Sequence, residues 1–207
     1  MRVAFISDTH NRHQQVVLPS ADILIHAGDV SGRGTQKEIE DFLVWFSSQP
    51  HKYKIFIAGN HDFFIQQNPE KFQSILPKNV IYLQDELVEI EGKKIYGSPW
   101  TPRFMNWAFM REKGRDISLV WKKIPSNIDV LITHGPAFGF HDEVYTGIQV
   151  GCEDLALELE RIKPKYFLFG HIHECYGVTE RGGITFMNGA VLNERYVLQN
   201  APLVFNL

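Results

Sequence analysis

Cysteine is scarce in this chain, and membrane-length apolar runs and excess basic charge are absent. Cys152 and Cys175 are the only cysteines among 207 residues, too few for a disulfide framework, which indicates a reducing compartment. No apolar run is long enough to span a bilayer, and a strand-like pattern begins at Arg2 without a basic and apolar leader. We therefore expect a cytoplasmic protein with no signal peptide and no membrane association.

The formal net charge of −3 argues against a broad basic surface, so we expect no extended nucleic acid as a partner. Repeats, low-complexity tracts and linkers are also absent. A composition of 44% hydrophobic and 22% charged residues is typical of a globular protein. A chain of this length buries a sizeable core, and we expect one domain over residues 1–207.

Short apolar runs alternate with helical patterns, which predicts an α/β fold. Five runs lack a polar face and so predict buried strands, at residues 3–6, 22–27, 54–58, 130–132 and 166–169. Thr35 and Glu38 form a capping-box pattern ahead of an apolar stripe, which predicts a helix between the second and third strands. This order predicts parallel strands joined by right-handed crossovers.

Weaker patterns cover the rest of the chain. We expect a short helix beginning at Asn68 and Pro69, a hairpin turning at residues 91–93, and a helix over residues 152–162. Short antiparallel strands are predicted at residues 178–179, 184–186 and 196–198. Residues 99–109 are rich in aromatics and proline without a clean period, which predicts a structured loop of the kind that is often functional.

Each of the five predicted strands ends in side chains that suit a metal. These are Asp8 and His10, Asp29, Asn60 and His61, His134, and His171 and His173. Because the carboxyl ends of parallel strands lie along one rim, we expect these groups to converge. Carboxylate, amide and imidazole ligands without a thiol favour manganese, iron, zinc or nickel over calcium. The set is too large for a single catalytic zinc and suits two metals that share a bridging carboxylate.

Each of these residues, taken alone, also has a purely structural interpretation. A single histidine is commonly a core or loop residue, and Asp8 or Asp29 is a common turn former. The structural interpretation would have to hold independently at all five strand ends. A shared metal site explains the pattern better than five coincidences. His26 lies inside a predicted strand and fits a core histidine, whereas His13 and His141 closely follow two of the motifs and are candidates for a supporting or substrate-binding role.

The order of the motifs resembles the calcineurin-like metallophosphoesterase superfamily. Its pattern is matched by Asp8-Thr9-His10, Gly28-Asp29, Gly59-Asn60-His61-Asp62, His134-Gly135 and Gly170-His171-Ile172-His173. Residues 94–102, 106–109 and 169–174 are similar to the metallophosphoesterase-domain-containing (MPPED, or UPF0046) branch. The resemblance implies a four-layer α/β sandwich of two mixed β-sheets flanked by α-helices. It also implies phosphodiesterase activity on cyclic nucleotides or other small phosphodiesters.

The resemblance also implies roles for individual residues. One metal would be held by Asp8, His10, Asp29 and His173, and the other by Asp29, Asn60, His134 and His171. Both ions would be divalent or trivalent, with manganese expected and iron, zinc, nickel or cobalt as alternatives. His61 would face the substrate phosphate and protonate the leaving group, Asp62 would orient His61 through a hydrogen bond, and a metal-bound hydroxide would attack.

Other functions remain open on the same residues. A phosphomonoesterase or protein phosphatase would use the same scaffold, because a fold does not determine its substrate. A non-catalytic nucleotide-binding module belongs to a different class, and the complete ligand set argues against it. A nuclease is disfavoured by the acidic balance of the chain.

The aromatic loop at residues 99–109 has three interpretations. Its aromatic side chains would fill a satellite core, form a homodimer contact, or make one wall of a substrate pocket. On the third interpretation Trp107 would stack against a base, and Arg103 and Asn106 would contact a base edge or phosphate.

Overall fold

A computed structural model describes all of residues 1–207. The strands are β1 (Arg2–Ile6), β2 (Ile23–His26), β3 (Tyr53–Phe56), β4 (Ile81–Tyr82), β5 (Glu86–Ile90), β6 (Lys93–Ser98), β7 (Thr101–Pro102), β8 (Met110–Arg111), β9 (Val130–Thr133), β10 (Tyr166–Phe169), β11 (Gly177–Arg181), β12 (Ile184–Asn188) and β13 (Leu203–Asn206). The helices are α1 (Gln36–Ser48), α2 (Phe63–Gln67), α3 (Pro69–Ile75), α4 (Arg115–Trp121) and α5 (Glu153–Ile162). None of them combines the length and apolar character that crossing a bilayer requires.

Two large mixed sheets form the centre of the fold, as the α/β sandwich prediction requires. The first has the strand order β13-β1-β2-β3-β4, and its strands β1 to β4 are parallel while β13 runs antiparallel to β1. The second has the order β11-β12-β10-β9-β6-β5, with parallel β12, β10, β9 and β6 between antiparallel edge strands. The predicted parallel pairing and the hairpin of β5 and β6 are therefore confirmed.

The sheets pack face to face, and helices cover their outer faces. Alternate residues of β1 show this arrangement, because Phe5 faces the core between the sheets while Ala4 faces the core beneath α1. On α1, the predicted stripe packs against the first sheet, and the capping box at Thr35 and Glu38 is present. Helices α4 and α5 pack against the second sheet through side chains such as Trp121 and Leu155.

Three parts of the sequence prediction are wrong or incomplete. Residues 196–198 form no strand, because Tyr196 has a left-handed φ of 57° and the Asn193 side chain accepts from the amides of Arg195 and Val197 in a turn. The loop at residues 99–109 contains β7, which pairs with β8. Strand β13 and helices α2 and α4 were not predicted, since each is short and carries a weak apolar period.

Candidate metal centre

The predicted site residues come together where the two sheets meet. Asp8, Asp29 and Asn60 follow strands β1, β2 and β3 of the first sheet, while His134 and His171 follow β9 and β10 of the second. All five follow buried strands, so the scaffold that carries them is rigid. The rim predicted from parallel strands is thus formed by two sheets rather than one.

The first ligand cluster consists of Asp8, His10 and His173. Their ligand atoms all lie within 4.8 Å of one another. Oδ1 of Asp8 is 3.6 Å from Nε2 of His173 and 3.9 Å from Nε2 of His10. These separations are too long for hydrogen bonds, but they suit atoms that bind one cation, which lie about 3–4 Å apart.

The second ligand cluster consists of Asp29, His134 and His171, with Asn60 beside it. Oδ1 of Asn60 lies 2.9 Å from Nε2 of His134. Oδ2 of Asp29 is 3.4 Å from Nε2 of His134 and 3.6 Å from Nε2 of His10. One carboxylate oxygen therefore faces both clusters, while Oδ1 of Asp29 accepts from the His61 amide at 2.8 Å.

The hydrogen bonds around the imidazoles fit a metal site. His10, His134 and His173 each direct Nδ1 at a backbone carbonyl, on Ser31, Ala27 and Leu192 respectively. A carbonyl accepts only from a protonated Nδ1, so His10 and His173 keep a lone pair on Nε2 when they are neutral, as metal-binding histidines do, and His134 would do so after losing its second proton.

Two buried features of these clusters call for a cation. The Nε2 atoms of His10 and His173 lie 3.3 Å apart, and two neutral rings in this arrangement oppose their lone pairs. Oδ1 of Asp8 is buried without a hydrogen-bond partner. A cation among these atoms would satisfy both features, so the residues present fit a metal centre.

The charges in the second cluster are strongly coupled. Burial alone would raise the pKa of Asp29, but the facing imidazoles of His134 and His10 hold it well below its usual range. Burial opposes the charged form of His134, yet the Asp29 carboxylate raises the pKa of His134 to about 9. Burial lowers the pKa of His10 to about 4, which keeps that ring neutral near pH 7. Asp29 thus stabilises positive charge on His134, while His10 faces it as a neutral ring.

The backbone around the ligands is strained and closely packed. Asp8, Asp29 and His171 have left-handed φ values of 56°, 55° and 70°. A Cβ on Gly170 would overlap Oδ2 of Asp8, and one on Gly59 would overlap Oδ1 of Asp29. Glycine at these two positions is what lets the carboxylates approach the neighbouring strand ends.

His61 lies at the edge of the two clusters. Its Nδ1 contacts the Gly32 carbonyl at 2.8 Å, and its ring meets His10 edge-on with the ring centroids 4.7 Å apart. The indole of Trp107 stacks on the other side of the imidazole, with centroids 4.4 Å apart and planes inclined by 28°. These contacts fix the ring and leave Nε2 without a hydrogen-bond partner in the protein.

The expected hydrogen bond between Asp62 and His61 is not formed. Asp62 is fully buried and instead accepts hydrogen bonds from the loops after β2 and β3: from the amides of Val30 (3.3 Å), Ser31 (3.0 Å) and Gly59 (2.8 Å), and from the Ser31 hydroxyl (2.6 Å). Burial and the nearby Asp29 raise the pKa of Asp62 to about 6. Asp62 therefore joins the loops that carry Asp29 and Asn60, and Gly32 rather than Asp62 orients His61.

We predict that Asp62→Ala destabilises the metal-free protein by about 3 kcal/mol, because it leaves buried amides without an acceptor. Ser31→Ala removes one of the donors and should cost about 1 kcal/mol. Urea unfolding of both variants measures the difference. A stable Asp62→Ala protein that has lost only turnover would instead favour a direct role beside His61.

The aromatic loop at residues 99–109 is divided between core and site. Phe109 is 1% exposed and contacts Trp100 in the core, as the satellite-core interpretation expected. Trp107 stacks on His61, and the ring centroid of Phe104 lies 5.7 Å from that of His171. The same loop therefore reaches both edges of the ligand clusters.

Arg103 and Asn106, the loop residues predicted to contact a base or phosphate, form no hydrogen bond or ion pair with the clusters. Arg103 is exposed and forms an ion pair with Glu112. Asn106 is exposed and makes no side-chain hydrogen bond within the protein. Their predicted contacts with a base or phosphate stay a prediction, because contacts within the protein do not test them.

Tyr196 is a site residue that the sequence analysis missed. Its ring lies 4.8 Å from that of His10 and 5.3 Å from that of His173, between centroids. The turn-forming residues around Asn193 were the available signal, because they argue against the strand predicted at residues 196–198.

Three histidines outside the clusters contact side chains or backbone groups away from the candidate ligands. His26 is fully buried and contacts the Thr9 hydroxyl at 3.0 Å, so its prediction as a core histidine is confirmed. His13 is also fully buried, between Phe42, Trp45 and the Asp41 carboxylate. Nδ1 of His141 contacts the Cys175 carbonyl at 2.9 Å.

Relatives with similar sequences extend over the whole chain. Metallophosphoesterase domain-containing protein 1 of Homo sapiens is 39% identical over 230 residues, covering 100% of this chain and 71% of its own. A UPF0046 protein of Caenorhabditis elegans is 37% identical over 218 residues, covering 99% of this chain and 74% of its own. The resemblance to this branch is therefore confirmed.

The fold has solved counterparts as well. The protein TT1561 of Thermus thermophilus superposes with a TM-score of 0.61 at 10% identity, covering 91% of this chain and 88% of that chain, which shows a shared fold alone. A sequence model described as calcineurin-like phosphoesterase matches residues 1–175, a range that contains both ligand clusters. The chain therefore belongs to the calcineurin-like phosphoesterase family.

Proposed function

We propose that this protein is a phosphodiesterase with two metal ions, acting on small phosphodiesters such as cyclic nucleotides. The observation that carries the proposal is the position of Asp29, whose Oδ2 lies 3.4 Å from Nε2 of His134 and 3.6 Å from Nε2 of His10. A carboxylate oxygen between two imidazole-bearing clusters is suited to bridging two ions. Two bound metals supply Lewis acidity, which binds phosphate oxygens and makes a water molecule acidic near neutral pH.

The protein's own residues have separate tasks in this proposal. Asp8, His10 and His173 would hold the first ion, Asn60, His134 and His171 would hold the second, and Asp29 would contribute to both. His61 presents Nε2 beside the clusters and donates a proton to the leaving oxygen. Asp62 keeps the loops of Asp29 and Asn60 at a fixed distance from each other through its buried hydrogen bonds.

The charges around the clusters favour a diester over a monoester. A phosphomonoester carries more negative charge than a diester, and arginine is the usual side chain that binds such groups. The ion pairs of Asp8 and Asp29 are all with histidines and none is with an arginine, and Arg103 on the adjacent loop is paired with Glu112. A singly charged diester, whose alkoxide leaving group needs a proton, matches the imidazole of His61 better.

Metal analysis and a substrate panel test the proposal together. The purified protein should bind two ions per chain and hydrolyse bis-p-nitrophenyl phosphate and 2′,3′- or 3′,5′-cyclic nucleotides faster than p-nitrophenyl phosphate. Asp29→Ala, purified in the same way, controls for contaminating phosphatases. A preference for the monoester would replace this proposal with a phosphomonoesterase, and binding of nucleotides without turnover would replace it with a binding module.

Trp107 offers a prediction about nucleotide selection. Its indole stacks on His61 and is only half-buried, so a base that reaches this edge of the site would pack against it. Trp107→Ala should raise KM for cyclic nucleotides about tenfold and KM for bis-p-nitrophenyl phosphate less, while metal content is unchanged. Trp107→Phe should recover most of the difference. Equal effects on both substrates would assign Trp107 only to holding His61, and a change in mass by light scattering would favour the homodimer interpretation.

A further inference from the structure

A cleft of about 440 Å³ opens beside the second ligand cluster. His171 lines its inner end, so the cleft is continuous with the proposed metal site. One wall is the segment from Thr101 to Phe104, and the other comes from residues 144–150. The volume lies within the range of small-molecule sites. The cleft is on the His171 side of the clusters, whereas Trp107 covers the His61 side.

The walls of this cleft are mainly apolar. Its hydrophobic lining consists of Phe104, Val144, Ile148, Val150 and Ile172, and two prolines lie beside them. Ile148 is 60% exposed and Phe104 is 53% exposed, although both belong to segments that border the ligand clusters. A hydrophobic group placed between these walls would remove their surface from water, which favours binding.

One cation of the lining has no partner in the protein. Lys113 is exposed and forms no ion pair, whereas the neighbouring Arg111 is paired with Asp116 and Arg103 with Glu112. Lys113 lies in the segment between β8 and α4. The lining also contains one carboxylate, Glu174, which belongs to a different segment and directly follows His173. An anionic substituent on a ligand would therefore have its binding partner at Lys113.

We propose that this cleft binds the organic group of the phosphoester and selects a ring-sized, apolar group that carries an acidic substituent. The inference rests on the proposed function, since the phosphate must lie at the ligand clusters for its ester group to reach the cleft. The apolar walls bind the ring, and Lys113 pairs with the acidic substituent. Among acyclic diesters, aryl or aralkyl phosphodiesters with a distal carboxylate or sulfonate should thus be preferred.

Three diesters with one leaving group test the proposal on the metal-loaded protein. Each carries p-nitrophenol, and the second ester group is methyl, 2-naphthyl or 6-carboxy-2-naphthyl. The naphthyl ester should have a kcat/KM about tenfold above that of the methyl ester, and the carboxynaphthyl ester should exceed both. Ile148→Ser should reduce the naphthyl advantage, and Lys113→Gln should remove only the additional carboxylate advantage. Val44→Ser and Lys37→Gln, on exposed positions of α1, are matched controls that should change neither ratio.

A binding measurement separates the cleft from catalysis. By calorimetry, 2-naphthylmethylphosphonate should bind more tightly than methylphosphonate, and Ile148→Ser should reduce that difference. Neither compound contains an ester bond, so neither is consumed. Equal kcat/KM for the methyl and naphthyl esters would overturn the cleft assignment and leave the proposed function in place. Failure of the metal-loaded protein to hydrolyse any ester would overturn the proposed function, while the phosphonate pair would still decide whether the cleft binds the ring.

Discussion

Asp29→Ala should leave the protein with fewer than about one metal ion per chain, against two in the unsubstituted protein. Its Oδ2 is the one carboxylate oxygen that faces both His10 and His134, so its removal weakens both proposed sites at once. The effect on turnover should be the largest of any single substitution in the chain. Elemental analysis after dialysis, together with activity on bis-p-nitrophenyl phosphate, measures both quantities.

Thermal unfolding provides a second readout for the same substitution. Added manganese should raise Tm in the unsubstituted protein, because a ligand that binds only the folded state stabilises it. In Asp29→Ala the shift should nearly vanish. Asp29→Asn keeps an acceptor for the His61 amide but loses the charge, and should behave similarly. Asp116→Ala, on the surface of α4, is the matched control. Two tightly held ions in Asp29→Ala would contradict the bridging role.

His61→Ala should retain both metal ions and lose most of its turnover. The side chain contributes no ligand in the proposed arrangement, and general acid catalysis accounts for roughly 10²–10⁴-fold in rate. The loss should be near the upper end for cyclic nucleotides, whose alkoxide leaving groups need a proton. It should be smaller for bis-p-nitrophenyl phosphate, because nitrophenolate leaves without proton assistance.

The comparison of leaving groups distinguishes two roles of His61. Equal losses on both substrates would show that the imidazole stabilises charge or binds phosphate rather than donating a proton. A fall in metal content would instead make His61 a ligand, which its proximity to His10 and Asp29 allows geometrically. Trp107→Phe, which should keep the stacked ring against His61, controls for general disturbance of this edge.

The convergence of the candidate ligand residues was predictable because local sequence carries its signal. Each follows an apolar strand, and the strand order determines which ends share a rim. Asp8 and His10 are an example, because they closely follow a strand that is buried from Val3 onward. The core stripe of α1 was predictable for a similar reason, since a helical period is a local property.

The contacts that position these ligands were less predictable because they depend on tertiary packing. Trp107 meets His61 only because a loop of the chain folds back across the rim, and no spacing rule connects the two residues. Asp62 follows His61 directly, yet its carboxylate points into the protein and bonds the loop after β2. Tyr196 reaches His10 from a turn whose left-handed backbone interrupts the predicted strand.

The residues that meet at the candidate metal centre are far apart in sequence, which has a consequence for synthesis on the ribosome. The His171 amide donates to Oδ2 of Asp8 across 163 residues of sequence, and β1 receives its edge partner β13 near residue 206. A growing chain that has produced β1, β2 and β3 therefore holds Asp8 and Asp29 but none of the histidines from the second sheet. The two ligand clusters would be complete only after β10 has been made, so the early chain depends mainly on its apolar core. Ribosome-bound chains that end before β9 should accordingly bind fewer manganese ions than the complete chain.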